Sequence, residues 1–226
     1  MSWRSRAAWS VGGSLATFVV AGALLHAPFA RPWLAKVGGC PVGDASAAEI
    51  ESVRLSAVAK TRGDVVAPAR RALGFVLDET TPEAVHAWAK RHDVTCDVKR
   101  DGLFVSCKDV PLVALKADEG REGRVSDVSF AFRPSDRTLV NVTATTFALT
   151  PREAAARTAA SAASLRTTLG APTSEAGQAT EEALGRGGYA TAIVAYRFSD
   201  LLADVTTTSF DRTGVTVREH YLSARD

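Results

Sequence analysis

Residues 149–173 read LTPREAAARTAASAASLRTTLGAPT, residues 191–198 read TAIVAYRF, and residues 205–217 read VTTTSFDRTGVTV. Thr150-Pro151-Arg152-Glu153 sets a capping hydroxyl before a proline at the first helical position, with a glutamate three residues on. A helix is predicted from there to Leu169, stopped by Gly170-Ala171-Pro172. Residues 174–188 read as a weak helix ending in a Gly-bearing loop. Three strands close the chain, at 191–198, 203–210 and 214–222. Val194, Tyr196 and Phe198 share one face, as do Val215, Val217 and Tyr221.

The same order occurs upstream. Thr80-Thr81-Pro82-Glu83 starts a helix whose Val85, Trp88 and Ala89 face inward, ending near His92. The acids Asp78-Glu79 just before it read as a match to the helix dipole. A hairpin over Cys96–Cys107 follows, then strands at 125–133 and 138–146 around the turn Pro134-Ser135-Asp136. Ahead of these, Ser46-Ala-Ala-Glu49 is a capping box for a helix over 46–62, with Ile50, Val53, Ala57 and Val58 as its apolar stripe. The reading is therefore α+β. An N-terminal transmembrane or signal helix precedes two helix-plus-antiparallel-meander repeats, which form a sheet covered by helices on one face. The boundaries are 1–30 for the anchor or signal, 31–44 for a linker, 45–148 for the first unit and 149–226 for the second.

The second unit resembles the BamE-like and β-lactamase-inhibitor-protein-like family. The matching positions are Thr150, Pro151, Glu153, Leu169, Gly170, Pro172, Thr173, Tyr196, Phe198, Phe210, Asp211, Gly214 and Val215. Residues 80–146 follow the pattern less closely, since they lack the Leu-Gly-x-Pro-Thr stop. The resemblance implies binding without catalysis: envelope assembly scaffolds in one branch, tandem-repeat inhibitors of secreted enzymes in the other. An anchor ahead of a tandem unit departs from both branches, so the partner does not carry over.

Nothing between Ala7 and Ala30 is charged. As a helix these residues span about 36 Å, enough for a hydrocarbon core of about 30 Å. Arg4 and Arg6 favour a cytoplasmic N-terminus, and Ala21-Gly22-Ala23 offers a signal-peptidase site as the rival. Either way the rest lies outside the cytoplasm, on the outer side of the inner membrane or secreted. Lys plus Arg is 27 and Asp plus Glu 25, so without Arg4 and Arg6 the two balance at 25 each. A neutral exported part with no basic run argues against nucleic-acid binding.

Cysteine usage agrees with export. A two-residue turn at Asp101-Gly102 sets Cys96 opposite Cys107, and an oxidising compartment favours a disulfide between them. With such a turn, 96/107 is a hydrogen-bonded pair, whose Cα atoms lie farther apart. Cys40 is left over.

No G-x-S-x-G, P-loop, H-E-x-x-H or C-x-x-C occurs, so no catalytic residue, metal ligand or cofactor is predicted. The rival enzyme reading needs His86 or His220 to meet an acid and a nucleophile in one cleft. The polar sheet face is the remaining candidate. Counting by twos puts Asn141 and Thr143 on it, with Arg197, Arg218 and His220 opposite the apolar side chains of their strands. The expectation is a non-catalytic envelope protein that binds another protein across this face. The alternative is a carrier of a small or lipidic ligand held between helices and sheet.

Overall fold

The computed structural model describes residues 46–115, 123–210 and 213–225. The expected transmembrane or signal helix, the linker and Cys40 lie outside these residues. Among the described residues no helix is long and apolar enough to cross a membrane.

Eight strands form one antiparallel sheet, β3(Cys96–Lys99), β4(Phe104–Pro111), β5(Arg124–Phe132), β6(Leu139–Leu149), β7(Ser174–Ala176), β8(Ala190–Arg197), β9(Leu201–Phe210) and β10(Gly214–Ser223). Their order across the sheet is β3-β4-β5-β6-β10-β9-β8-β7. A separate two-stranded sheet pairs β1(Arg71–Ala72) with β2(Phe75–Val76). Four helices accompany them among the described residues: α1(Ala47–Thr61), α2(Pro82–Arg91), α3(Pro151–Leu169) and α4(Glu181–Gly185).

This corrects the expected fold of two repeats whose sheet is covered by helices on one face. The strands make one continuous eight-stranded sheet, because β6 and β10 pair along most of their length at its centre. The weak helix expected over 174–188 is an edge strand, β7, followed by the short α4. Helices also lie against both faces. Trp88 of α2 reaches Phe130, and Thr158 of α3 meets Thr207 at 2.5 Å, on the inner face. Val58 of α1 instead packs with Leu202, Leu222 and Ala224, apart from the main core. Leu202 and Leu222 pair with each other and share the outer face with Asp204 and His220. The stripe expected on α1 is reduced to Val58, since Ile50 and Val53 are exposed. Helical spacing places side chains on one stripe but does not say which sheet face receives it.

The inner face holds the core. Phe75 and Trp88 meet Phe130 edge to face at 4.9 and 5.8 Å, and Trp88 donates its indole N–H to Ala114 O at 2.8 Å. Under α3 the seam is more polar. The Ser161 hydroxyl donates to Glu219 Oε1 at 2.6 Å, and Arg157 donates to Thr146 Oγ1 at 2.8 Å. An Ala-, Ser- and Thr-rich helix offers little apolar area, so these bonds supply part of its fixation.

The hairpin keeps the expected register, with Cys96 opposite Cys107 and a disulfide joining them. Its turn differs. Lys99 pairs with Phe104, so Arg100–Leu103 form a four-residue loop in place of the two-residue turn. Removing one pair from the ladder exchanges the two pair types along it. Cys96/Cys107 therefore becomes a non-hydrogen-bonded pair, flanked by the Lys108 N–H donating to Thr95 O, with Cα atoms 4.0 Å apart.

Two glycines fix the ends of the sheet. A Cβ on Gly63 would lie 2.2 Å from Arg197 O, so only glycine lets this segment lie against the β8–β9 turn. Gly214, at φ 78°, sits where a Cβ would come 2.9 Å from Ala148 Cα, beside the irregularity in the β6–β10 ladder.

Candidate functional site

The register of the outer face can be read across the sheet. One row runs Ser106, Ser129, Thr143, His220, Asp204 and Ala195 from β4 to β8. The next row runs Lys108, Asp127, Thr145, Arg218, Thr206 and Ile193. At one end of the face, Leu202 and Leu222 meet α1. At the other end, alternation from Thr145 and Thr208 brings out Phe147 and Phe210, 54 % and 52 % exposed. Tyr189, 69 % exposed, rests its ring 5.5 Å from that of Phe210.

The centre of this face is a hydrogen-bond chain across three strands. Thr143 donates its hydroxyl to Asn141 Oδ1 at 3.0 Å. Asn141 Nδ2 lies 2.9 Å from His220 Nε2, and His220 Nδ1 lies 3.3 Å from Asp204 Oδ1. The second oxygen of Asp204 accepts from Thr206 at 3.0 Å and from Arg218 at 3.4 Å. Burial raises the pKa of Asp204. The hydrogen bond and charge of His220, the charge of Arg218 and the Thr206 hydroxyl together outweigh it, holding the carboxyl below its ordinary value.

That depression has a defined sign. A carboxylate with a lowered folded-state pKa contributes stability above its unfolded pKa, near 3.8. The contribution disappears as pH falls through the folded-state value. Melting temperature measured from pH 5 downward should therefore fall below about pH 3.8 more steeply in the parent chain than in Asp204→Asn.

Four of the five residues expected on the face come together: Asn141, Thr143, His220 and Arg218, all joined to or through Asp204. Arg197 does not join them. Its guanidinium donates to Tyr196 O at 3.0 Å and Ala203 O at 3.4 Å, so it serves the backbone at the β8–β9 end. No family model, curated protein or solved structure matches this chain. What the site can do must be read from its own atoms.

Asp204 was not among the residues singled out from the sequence, although a signal for it exists. The β9–β10 hairpin pairs Phe210 with Gly214, and that register carries Asp204 opposite His220. The acid and the histidine are two of the three members of a hydrolytic triad. The other ring nitrogen faces an amide, and the Thr143 hydroxyl bonds to that amide rather than to the ring. Among the described residues no three His, Cys, Asp or Glu side chains gather into a metal site. An open cleft of about 460 Å³ lies between Thr150–Arg152 and Glu181–Arg186, beside α3 and α4. It opens at the rim and not between helices and sheet.

A second polar cluster, also missed, stands at the α1 end. From the sequence, Asp78 reads as a match to the dipole of the helix that follows it. It is instead largely buried, pairing with Arg70 and with Arg133 at 2.5 Å, and both its oxygens accept from the Ser223 hydroxyl at 2.7 and 2.8 Å. Arg133 reaches Asp136 at 2.9 Å, and Asp200 accepts from the Ala67 N–H at 2.8 Å. Arg54 pairs with Glu51 and donates to Ser223 O at 2.6 Å. These groups clasp α1 and residues 67–78 to the end of the sheet. Most of their polar atoms bond one another, while Arg70 Nε, Arg133 Nε and Asp200 Oδ2 are buried without a hydrogen bond and meet opposite charges only at 3.6–3.9 Å.

Proposed function

We propose that this chain is a non-catalytic envelope protein whose exported module binds another protein across the outer face of the sheet. The observation that carries it is the chemistry of that face. Around the buried Asp204, the Ser, Thr, His and Arg side chains of its central rows and Asp127 remain partly solvent-exposed, with Arg218 half-exposed and three exposed aromatic rings at the far end. Arginine and aromatic side chains are the types on which protein interfaces concentrate their energy. A monomer gains nothing from leaving Phe147, Tyr189 and Phe210 in water together. The motif resemblance in residues 150–222 supports the same reading, since that family binds proteins and does not turn over substrates.

The uncharged segment 7–30 supports export, with the C-terminal part outside the cytoplasm, held by a single pass or released if the segment is cleaved. The Cys96–Cys107 disulfide suits that compartment.

The test is recovery of crosslinked partner by the tagged full-length chain in cells. Thr208→Arg and Phe210→Ala, on the outer face, should each reduce recovery at least about tenfold, the loss of a single hot spot. Ala163→Arg, on the exposed side of α3, should leave it unchanged. Equal recovery with all three would remove the outer face as the binding surface.

A further inference from the structure

The chain Thr143–Asn141–His220–Asp204 contains more information than its distances. An ionised carboxylate only accepts hydrogen bonds, so His220 Nδ1 must carry a proton to bond Asp204. In the neutral ring Nε2 is then bare and accepts. Asn141 accordingly turns its NH2 toward Nε2 and its carbonyl oxygen toward the Thr143 hydroxyl. Each of the three contacts then pairs one donor with one acceptor, in one direction only, and only while the ring is neutral.

We infer that Thr143, Asn141 and His220 form a proton-operated switch on the outer face. A proton taken from solvent onto Nε2 makes that nitrogen a donor, directly opposite the Asn141 NH2 at 2.9 Å. Two donors cannot share that contact. The amide turns over and presents Oδ1 to the ring. Its NH2 then faces the Thr143 oxygen, which becomes an acceptor and releases its hydrogen outward. One proton thus reverses the polarity of three side chains over two strands, on a face that is partly exposed.

The surroundings let this occur. On β9, Asp204 favours the charged ring; on β10, Arg218 opposes it and is itself drawn to Asp204. β6 contributes only the uncharged Asn141 and Thr143, and the next residue along the row on β5 is Ser129. The Lys108–Asp127 pair stands one row away and is internally matched. On α1, Arg54 pairs with Glu51 and donates to the carbonyls of Ser223 and Arg225. The consequence for partner binding, tighter at one protonation state than the other, rests on the docking reading above. The switch itself does not.

The test is NMR of the full-length chain carrying 15N-labelled histidine and asparagine, titrated with acid. The sequence has four histidines, and His220→Gln assigns the relevant one. Above its midpoint His220 should be protonated at Nδ1 and bare at Nε2. The Asn141 amide signals should move with the same midpoint as the ring. Asn141→Asp, which can only accept, should raise that midpoint by about one unit or more. A ring protonated at Nε2 when neutral, an Asn141 amide indifferent to the titration, or an unmoved midpoint in Asn141→Asp would each overturn the switch. Crosslink recovery at pH values either side of the midpoint is read separately. Recovery lost from outer-face positions at both would count against docking, while the NMR result still decides the switch.

Discussion

Asp78→Ala should destabilise the fold by about 3–5 kcal/mol, the usual cost of removing one partner from a buried ion pair. The change leaves two arginines, 14 % and 12 % exposed, facing each other's charge across the space the carboxylate filled. It also strips the Ser223 hydroxyl of both its acceptors. Asp78 holds a positive φ of 61°, an arrangement Asp tolerates better than Ala, which adds to the loss. Chemical denaturation reads the effect as a lower midpoint with an unchanged slope. Asp78→Asn should cost less, because the amide keeps one acceptor and the shape while losing the charge. Equal stability of Asp78→Ala and the parent would mean that the Asp78 pairs add nothing at this end and that α1 is held by Val58 and the Arg54 bonds to Ser223 O and Arg225 O.

Phe130→Ala should cost a comparable 3–5 kcal/mol, through a different mechanism. Phe130 is fully buried and receives the edges of Phe75 and Trp88. These rings join the two-stranded sheet, α2 and β5. Truncation removes the transfer free energy of the ring, opens a cavity and abolishes two aromatic contacts worth about 0.5–1.5 kcal/mol each. Phe130→Leu should recover part of the loss by filling the volume without the ring edges. Thermal unfolding followed by tryptophan fluorescence suits this case, since Trp88 reports the same cluster. A loss below 1 kcal/mol for Phe130→Ala would show that the cluster collapses to refill the space.

The sequence made the local features legible. Alternation put Asn141, Thr143, Arg218 and His220 on one face, and the hairpin centre put Cys96 opposite Cys107. Thr150 and Glu153 announced the start of α3, and both bonds of that capping box are present. Each depends on residues close together in the chain.

What stayed hidden depends on distance. Asp78 finds Ser223 across 145 residues, and Arg54 finds it across 169, so no local pattern could separate a buried clasp from a solvated acid. The same holds for α1. Its stripe looks like any amphipathic stripe, and only the fold reveals that Val58 alone is buried, on the face opposite α2 and α3. Arg197 has the right parity for the site, but long side chains are free to turn, and its guanidinium bonds the nearby carbonyls of Tyr196 and Ala203 instead. Strand number failed for a third reason. β7 has three exposed residues, too few to show any period.

The measurement that bears most directly on the outer face is site-specific photocrosslinking in living cells. A photoreactive side chain would be placed at Thr208 on β9, at Thr145 on β6 and at Ala163 on the exposed side of α3. Each position is substituted singly in the same tagged full-length chain, and the three variants are compared at equal expression. A discrete crosslinked protein from Thr208 and Thr145, and none from Ala163, is the expected result. Crosslinks from Ala163 alone, or none from either strand position, would contradict the assignment of the outer sheet face as the surface where this protein meets its partner.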